Sequence, residues 1–448
     1  MVKLWDKGYK FDELIEEYTV GDDYILDERL IPYDIYGNMA HAVMLAKIGI
    51  LSDDELSKIK NGLKEIYKLY KEGKFRINRE DEDVHTKIEN YLTRKYGDIG
   101  KKIHTARSRN DQILLDLRLY MKDAIFSISE NIVDFLKVLL NFSREYLYTP
   151  MPGYTHTRIA MPSSVGLWSH ALFDAMRDNI RILLYLYEII DQSPLGSAAG
   201  YGVPVPIDRE LVADLLGFSK VQKNVVYVQN SRGKFELLIC DVSEQIMIDL
   251  SRYATDLIYF TMPQFGYFSL PFEMLSGSSI MPQKQNPDML ELLRAKTSQI
   301  SSFKVAISGI LAKLPTGYSR DLQLTKGYLF SAFDITNMSI KVMNKIFEGL
   351  LVHEENLKRD MKKEIFATDY ALSMVKDGVP FREAYKRVAK ELENLVPLDI
   401  DEVIKNRVHI GTPSNLKLTE DENFVEETED SIKIMKHEFH NRLNSLME

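Results

Sequence analysis

The sequence lacks the residues needed for covalent cross-links, because its 448 residues include one cysteine, Cys240. A single thiol can neither close an intrachain disulfide nor build a thiolate metal cage. The apolar stretch around it, LLICDV, predicts a buried core thiol rather than a nucleophile. No uncharged apolar run approaches the roughly 20 residues of a membrane span, and the first residues contain no signal-peptide core. We therefore predict a cytoplasmic protein without a membrane partner.

The chain also lacks an excess of positive charge. Its formal net charge is −9 and its isoelectric point lies near 5.6. Proteins that bind nucleic acid usually carry a basic excess, so we predict no nucleic-acid partner. A single basic pocket stays compatible with this balance, because net charge does not describe one cleft. The 45% hydrophobic and 27% charged residues are typical of an ordinary folded protein.

Glycine and proline are absent between Asn110 and Pro150, a stretch that would make a helix on the order of 55 Å long. Four further long helical stretches are predicted at 163–193, 234–262, 288–314 and about 328–351. Helices of this length need neighbours along their whole extent, which predicts a five-helix bundle. Their apolar residues cover more than one side, so we expect the bundle to pack against copies of itself.

The flanking segments predict shorter elements and an all-α protein of three domains. We place an N-terminal helical domain at 1–110, the central long-helix bundle at 111–355 and a small C-terminal helical domain at 356–448. Ser52 and Glu55 form a capping box that predicts one helix of the first domain. Strand patterns are few, and VVYV at 225–228 is the best of them, with an extended loop as the alternative.

Polar motifs lie at the breaks between the long helices. In HTARSRNDQ, residues 104–112, Ser108 and Asn110 are typical helix N-cap residues. Arg107 and Arg109 add two guanidiniums beside the exposed N–H groups of a helix start, which predicts a carboxylate site. A plain helix start is the alternative.

A second motif, PGYTHTRIAMP at 152–162, is predicted to open the second long helix. It places His156 beside Thr155 and Thr157. A lone histidine is more often structural, but a histidine in a helix-entry turn beside hydroxyl groups is a good acid–base candidate.

A third motif, GSSIMPQKQNP at 277–287, combines a Gly-Ser-Ser run with a cation and an amide. The run has almost no side chain to bury, which favours a loop that approaches or covers a ligand. Lys284 and Asn286 precede Pro287, the predicted first residue of the next helix. Glu291 follows in the opening turns, where its charge suits the helix dipole. A flexible linker is the alternative.

A fourth motif, YSRDLQLTK at 318–326, has Arg320, Gln323 and Lys326 within reach of a polyanion, although a charged surface turn would look the same. The phosphate-binding loop, the dinucleotide fingerprint, the nucleophile elbow and the zinc-binding HExxH motif are absent. The sequence therefore predicts neither a metal nor an organic cofactor.

The segment GSSIMPQKQNP closely resembles the signature loop of the fumarase/aspartase superfamily of lyases. Within that superfamily the chain resembles the argininosuccinate lyase branch, of which HTARSRNDQ is typical. Further segments of this branch are LWDKGYKFDE at 4–13, DEDVHTKIE at 81–89, PLGSAAGYGVPVPIDR at 194–209, YSRDLQLTK, and PFREAY with HIGTP near the end. The resemblance implies a homotetramer with active sites shared between three subunits. It also implies reversible cleavage of argininosuccinate to L-arginine and fumarate, without a cofactor, in arginine biosynthesis.

The resemblance also implies roles for individual residues. Ser278 would abstract the proton, and His156, paired with Glu291, would protonate the leaving guanidine, although the sequence leaves the opposite assignment open. Lys284 and Asn286 would stabilise the aci-carboxylate. The positions that match substrate-binding residues are Ser108, Arg109, Asn110 and Thr155 for the fumarate half, Tyr318, Gln323 and Lys326 for the arginine half, and His85 and Asn38 in the first domain.

Several positions depart from the family pattern. Arg158 and Met161 stand where two glutamines are usual, Asn38 where serine is common, and the run 231–233 (SRG) where Arg-Asp is usual. Gln283 favours argininosuccinate over adenylosuccinate, since adenylosuccinate lyases usually carry histidine there. The alternatives are therefore adenylosuccinate lyase or another fumarate-releasing lyase and, more remotely, a crystallin-like structural protein.

Overall fold

A computed structural model describes residues 12–448, so most of the motif at 4–13 lies outside the described residues. The α-helices are α1 Glu13–Val20, α2 Asp23–Leu26, α3 Ile31–Lys47, α4 Asp53–Lys71, α5 Val84–Tyr96, α6 Asp98–Lys101, α7 Arg109–Glu145, α8 Val165–Ile190, α9 Arg209–Leu215, α10 Val225–Asn230, α11 Lys234–Phe260, α12 Asp288–Leu311, α13 Thr325–Gly349, α14 Glu354–Arg359, α15 Ala367–Lys376, α16 Phe381–Lys390, α17 Ile400–Lys405 and α18 Leu418–Leu446. Short 3-10 helices lie at Asp27–Arg29, Arg79–Asp81, Lys102–His104, Phe272–Met274, Arg320–Leu324, Lys363–Phe366, Leu392–Asn394 and Pro413–Asn415. The strands are β1 Pro150–Thr155, β2 Arg158–Ser164, β3 Phe268–Ser269 and β4 Leu351–Val352.

The predicted all-α class and the five long helices α7, α8, α11, α12 and α13 are confirmed. The predicted start of α7 is also confirmed, because the Ser108 hydroxyl accepts a hydrogen bond from Asn110 N (3.2 Å) and Asp111 Oδ1 accepts one from Ser108 N (2.9 Å). The helix α12 begins at Asp288, with Pro287 as its N-cap rather than its first residue. The capping box of Ser52 and Glu55 is present at the start of α4.

The long helices share one hydrophobic core. Helix α7 packs against α8, α13 and α18, and α11 packs against α8, α12 and α13. Buried side chains of α3, α4 and α5 belong to the same core, so the N-terminal helices are continuous with the bundle. Cys240 is buried in this core, as predicted. Within the described residues no helix is both long and apolar enough to cross a bilayer.

The last helix, α18, is a sixth long helix that the sequence patterns did not predict. It lies along α7, where Phe439 contacts Phe126 at a ring separation of 6.0 Å. Two small cores that are separate from the main core form before α18, one around Phe366 and one around Ala384. The three-domain division stays a prediction, and this packing favours a small C-terminal unit that ends before α18.

Two local predictions are wrong. Residues 225–228 form the first turn of helix α10, because Asn224 caps that turn by accepting a hydrogen bond from Tyr227 N (2.9 Å). The segment 152–162 is not a helix entry but part of the antiparallel β1–β2 hairpin, and α8 begins only after the N-cap Ser164.

Arg118 joins α7 to the connections that follow α8 and α10. It is buried, its guanidinium lies 4.0 Å from the ring centre of Phe235, and burial lowers its pKa to about 9. It donates hydrogen bonds of 3.0–3.2 Å to Ile190 O, Gln192 O, Gln222 Oε1 and Ser231 Oγ. One side chain thus satisfies acceptors from three segments of the chain.

We expect Arg118→Met to lower the free energy of unfolding by about 3 kcal/mol or more, because these buried acceptors lose a charged donor. Urea unfolding at a fixed protein concentration measures the effect. The control is Arg144→Met on the same helix, because the ion pair of Arg144 with Glu422 is exposed and should contribute less than about 1 kcal/mol. Equal shifts for the two variants would contradict the role of Arg118.

Candidate active site

A cavity of about 190 Å³ lies where the start of α7 meets α2, α5 and the Arg320–Leu324 turn. Six of the predicted substrate-binding residues line it, namely His85, Arg109, Asn110, Tyr318, Gln323 and Lys326. The other lining residues are Asp23, Asp27, Asp83, Ile113, Arg232 and Arg320. The cavity therefore collects residues from five separate stretches of sequence.

Lys326 is a buried cation held by two carboxylates. Its side-chain nitrogen lies 2.8 Å from Asp23 Oδ1 and 2.5 Å from Asp27 Oδ1. Burial lowers the pKa of Lys326, but the charges of Asp27 and Asp23 outweigh it and raise that pKa above its usual value. Burial raises the pKa of Asp23 to about 6, against the opposing effect of Lys326. The sequence reasoning missed both carboxylates, whose i,i+4 spacing across DYILD was the available signal.

His85 is fixed from behind the cavity. Its Nδ1 lies 2.8 Å from Asp34 Oδ1, which leaves Nε2 as the ring nitrogen for a ligand. Burial lowers the pKa of His85, but Asp34 reverses this and raises it. Asn38 does not line the cavity: its amide donates to Asp34 O (2.7 Å) and Asp34 Oδ2 (2.9 Å), and its oxygen accepts from Arg107 (2.7 Å). Asn38 therefore supports the residue that orients His85.

The two arginines of the HTARSRNDQ motif point to different environments. Arg107 is buried against Asn38, whereas Arg109 reaches Asp83 Oδ2 at 2.8 Å at the cavity wall. Asn110 also lines the cavity, while Ser108 serves as the N-cap of α7. Each arginine is thus already bonded to the protein.

Thr155 and His156 lie at the exposed tip of the β1–β2 hairpin. Thr155 pairs with Arg158, so His156 and Thr157 form a two-residue turn, and both have positive φ, 53° and 59°. Such a turn normally uses Asn or Gly, and threonine with positive φ is strained. Strain at an exposed turn is typical of a functional site. The hairpin packs on α14 and α17.

The segment 277–287 forms a closed loop on the surface. Ser276 and Asn286 exchange backbone hydrogen bonds of 3.0 and 2.9 Å at its base. The Ser278 hydroxyl oxygen accepts hydrogen bonds from Met281 N (3.2 Å) and Ile280 N (3.4 Å). Lys284 is exposed on the loop, and Glu291 is exposed at the start of α12.

Most of the predicted site residues thus fall into three groups in a single chain: the cavity, the hairpin tip and the closed loop. His156, Ser278 and Lys284 are not among the residues that line the cavity. In the chain by itself, His156 and Lys284 are exposed and Ser278 is half-buried.

Two clusters in the described residues place three possible metal-ligand atoms within 4.8 Å of one another, Asp34–His85–Asp116 and His170–Asp174–Asp421. In the second cluster Arg177 lies 2.7 Å from both carboxylates. In the first, the charge of Arg107 acts on Asp116, although burial raises the pKa of that carboxyl well above its usual value. Both clusters therefore have an arginine as countercharge.

Comparison with known proteins identifies the family of the chain. A family model described as "Lyase" matches residues 8–302. The solved structure of EDDS lyase in complex with formate superposes with a TM-score of 0.82 over 98% of this chain and 95% of that chain, at 22% identity. The family model, together with this fold, places the chain among the lyases of the fumarase/aspartase superfamily.

Within that superfamily, the chain belongs to the argininosuccinate lyase family. It is 48% identical to the argininosuccinate lyase of Thermotoga neapolitana over 87% of this chain and 98% of that protein. It is 42% identical to the argininosuccinate lyase of Sorangium cellulosum over 93% of this chain and 97% of that protein.

Proposed function

We propose that the chain catalyses the reversible elimination of argininosuccinate to L-arginine and fumarate, as a cytoplasmic enzyme of arginine biosynthesis. The base removes a proton from the CH2 carbon next to a carboxylate of the succinyl half. The electron pair that remains forms an aci-carboxylate. It then forms the C=C bond of fumarate while the C–N bond breaks, and the guanidine nitrogen takes the bonding pair and a proton.

The observation that carries this proposal is the environment of the Ser278 oxygen. Serine is a poor base in water, because its alkoxide is strongly disfavoured. The N–H groups of Ile280 and Met281 point at this oxygen, and hydrogen bonds to the charged form of a group favour that form. The loop therefore suits Ser278 as the group that abstracts the proton once water is excluded.

Three further residues serve the same step. Lys284 supplies a positive charge and Asn286 an amide donor for the aci-carboxylate, where negative charge develops. His156, paired with Glu291, donates the proton to the leaving guanidine. The exposed position of His156 at a strained turn suits a group that enters a neighbouring site.

The cavity would hold the two ends of the substrate. Tyr318, Gln323 and Lys326 contact the arginine half, and His85, supported by Asn38, lies at the cavity wall. The residues assigned to the fumarate half are Ser108, Arg109, Asn110 and Thr155. Three of these lie at the start of α7, where the helix dipole favours an anion.

We also propose that the chain forms a homotetramer whose active sites are shared between subunits. Only four of the 24 residues of α12 are buried in one chain. Large apolar side chains on the long helices are exposed, among them Ile182, Tyr185, Tyr259, Leu292, Val305 and Met338. Exposed apolar surface of this extent is typical of an interface. Packing of these helices would bring a hairpin tip and a closed loop from neighbouring chains to each cavity.

The test is to add argininosuccinate to the purified protein. We expect fumarate to appear by ultraviolet absorbance and L-arginine by chromatography in equal amounts. Adenylosuccinate is the matched control and should release no fumarate. Release from adenylosuccinate but not from argininosuccinate would contradict the proposed substrate.

A further inference from the structure

Arg232 is a buried cation in the cavity whose side chain has no hydrogen-bond partner among the described residues. It lies in the turn between α10 and α11, lines the cavity and is 4% exposed. Its Nε is buried, and within residues 12–448 it finds no acceptor. Its guanidinium carbon lies 5.8 Å from the ring centre of Tyr318. Buried polar groups in folded proteins are nearly always bonded, so such a group calls for an explanation.

The other cations of the cavity already have partners in the described part of the chain. Lys326 binds Asp23 and Asp27. Arg109 binds Asp83, and Arg320 donates to Thr19 O at 2.8 Å. Of these cavity-lining cations, Arg232 alone has a side chain with neither a hydrogen bond nor an ion pair within residues 12–448, which leaves its guanidinium available to an anion.

The backbone on both sides of Arg232 is fixed. Ser231 Oγ accepts a hydrogen bond from the buried Arg118 (3.0 Å). Gly233 has φ +81°, and a Cβ at this position would lie 2.4 Å from a methyl carbon of Leu311, so a larger residue would be strained and crowded here. Gly233 N also donates to Glu236 Oε2 at 2.8 Å. These contacts keep Arg232 at the cavity rather than in solvent.

We propose that Arg232 binds the α-carboxylate of the arginine half of the substrate. This inference rests on the proposed placement of that half beside Tyr318. A guanidinium matches a carboxylate with two parallel hydrogen bonds, and such charge-assisted pairs are stronger than neutral ones. Arg232 is therefore a specificity-determining residue that requires a free carboxylate on the amino-acid end of the ligand.

The test compares L-arginine with argininamide, which carries an amide in place of the α-carboxylate, by calorimetric binding to the whole protein. We expect the wild type to bind L-arginine roughly 10- to 100-fold more tightly than argininamide. In Arg232→Gln this ratio should fall to about one, because the charged donor is gone. The affinity for fumarate should not change, and KM for argininosuccinate should rise more than kcat falls.

Controls separate this inference from a structural effect. Arg144→Gln removes an exposed arginine of α7 and should keep the wild-type ratio. If Arg232→Gln does not fold, Arg232→Lys retains one charge without the paired donors and should give an intermediate ratio. If the Arg232 variant keeps the wild-type ratio of affinities for L-arginine and argininamide, the role of Arg232 is overturned, while the proposed reaction is unaffected. If the wild-type protein cleaves argininosuccinate but binds L-arginine and argininamide equally well, the placement of the arginine half is wrong and the proposed reaction still stands.

Discussion

Replacing Ser278 with alanine is expected to lower kcat by roughly 1,000-fold or more, because the base for the carbon-bound proton is lost. Within residues 12–448 the hydroxyl makes hydrogen bonds only inside its own loop, where it accepts from the N–H groups of Ile280 and Met281. The unfolding midpoint and the subunit assembly should therefore stay unchanged. Steady-state kinetics with argininosuccinate measure the effect.

The adjacent serine is a matched control for this variant. Ser279→Ala removes the same group one residue further along, from a side chain that is exposed and has no side-chain hydrogen bond within the described residues. We expect Ser279→Ala to retain most of the wild-type kcat. Near-normal turnover of Ser278→Ala would show that another group removes the proton.

Replacing Lys284 with methionine is expected to lower kcat roughly 100- to 1,000-fold, because the positive charge acts where the aci-carboxylate develops. The change removes charge but keeps an unbranched side chain of similar length. The substrate should still bind, since the cavity residues are untouched, so KM should change much less than kcat.

The control for charge is Lys313→Met, which removes an exposed lysine at the end of α12. We expect it to leave kcat and KM close to those of the wild type. If Lys284→Met raised KM while kcat stayed normal, Lys284 would act in ground-state binding rather than in stabilising the intermediate.

The long helices were predictable because their apolar pattern is set by local periodicity. The stretch after Asn110 has neither glycine nor proline for nearly forty residues, and α7 spans most of it. The helix α18 was not predicted because its first residues, LTEDENFVEETED, are mostly acidic and polar. Its buried residues, such as Ile432 and Phe439, are too widely spaced to give a clear apolar pattern. Its burial comes from α7, a partner far away in the sequence.

The hairpin and α10 were mispredicted because tertiary context and capping override local propensity. The turn at His156 and Thr157 contains no glycine or asparagine, the residues that normally indicate a two-residue hairpin. In 225–228 the β-branched pattern favours a strand, but the Asn224 cap starts a helix instead. Neither outcome is readable from residue type alone.

The candidate site was predictable as a set of motifs but not as a geometry. The motifs located His85, Tyr318 and Lys326, which the fold brings to one cavity. They did not locate Asp23 or Arg232, because neither the i,i+4 spacing of Asp23 and Asp27 nor an arginine in a turn indicates a binding site by itself. Their importance comes from burial and from distances that only the folded chain provides.

The central claim is that each active site combines the hairpin tip and the closed loop of different subunits. The most direct test mixes two inactive variants, His156→Asn and Ser278→Ala, denatures them together, refolds the mixture and measures argininosuccinate cleavage. The account predicts recovery of about one quarter of the wild-type activity in an equal mixture. Half of the chains carry an intact His156 and the other half an intact Ser278, so about one site in four receives both. If hybrids form, as shown by a size tag on one variant, but activity stays at the level of the separate variants, the two residues act from the same chain and the shared-site account is wrong.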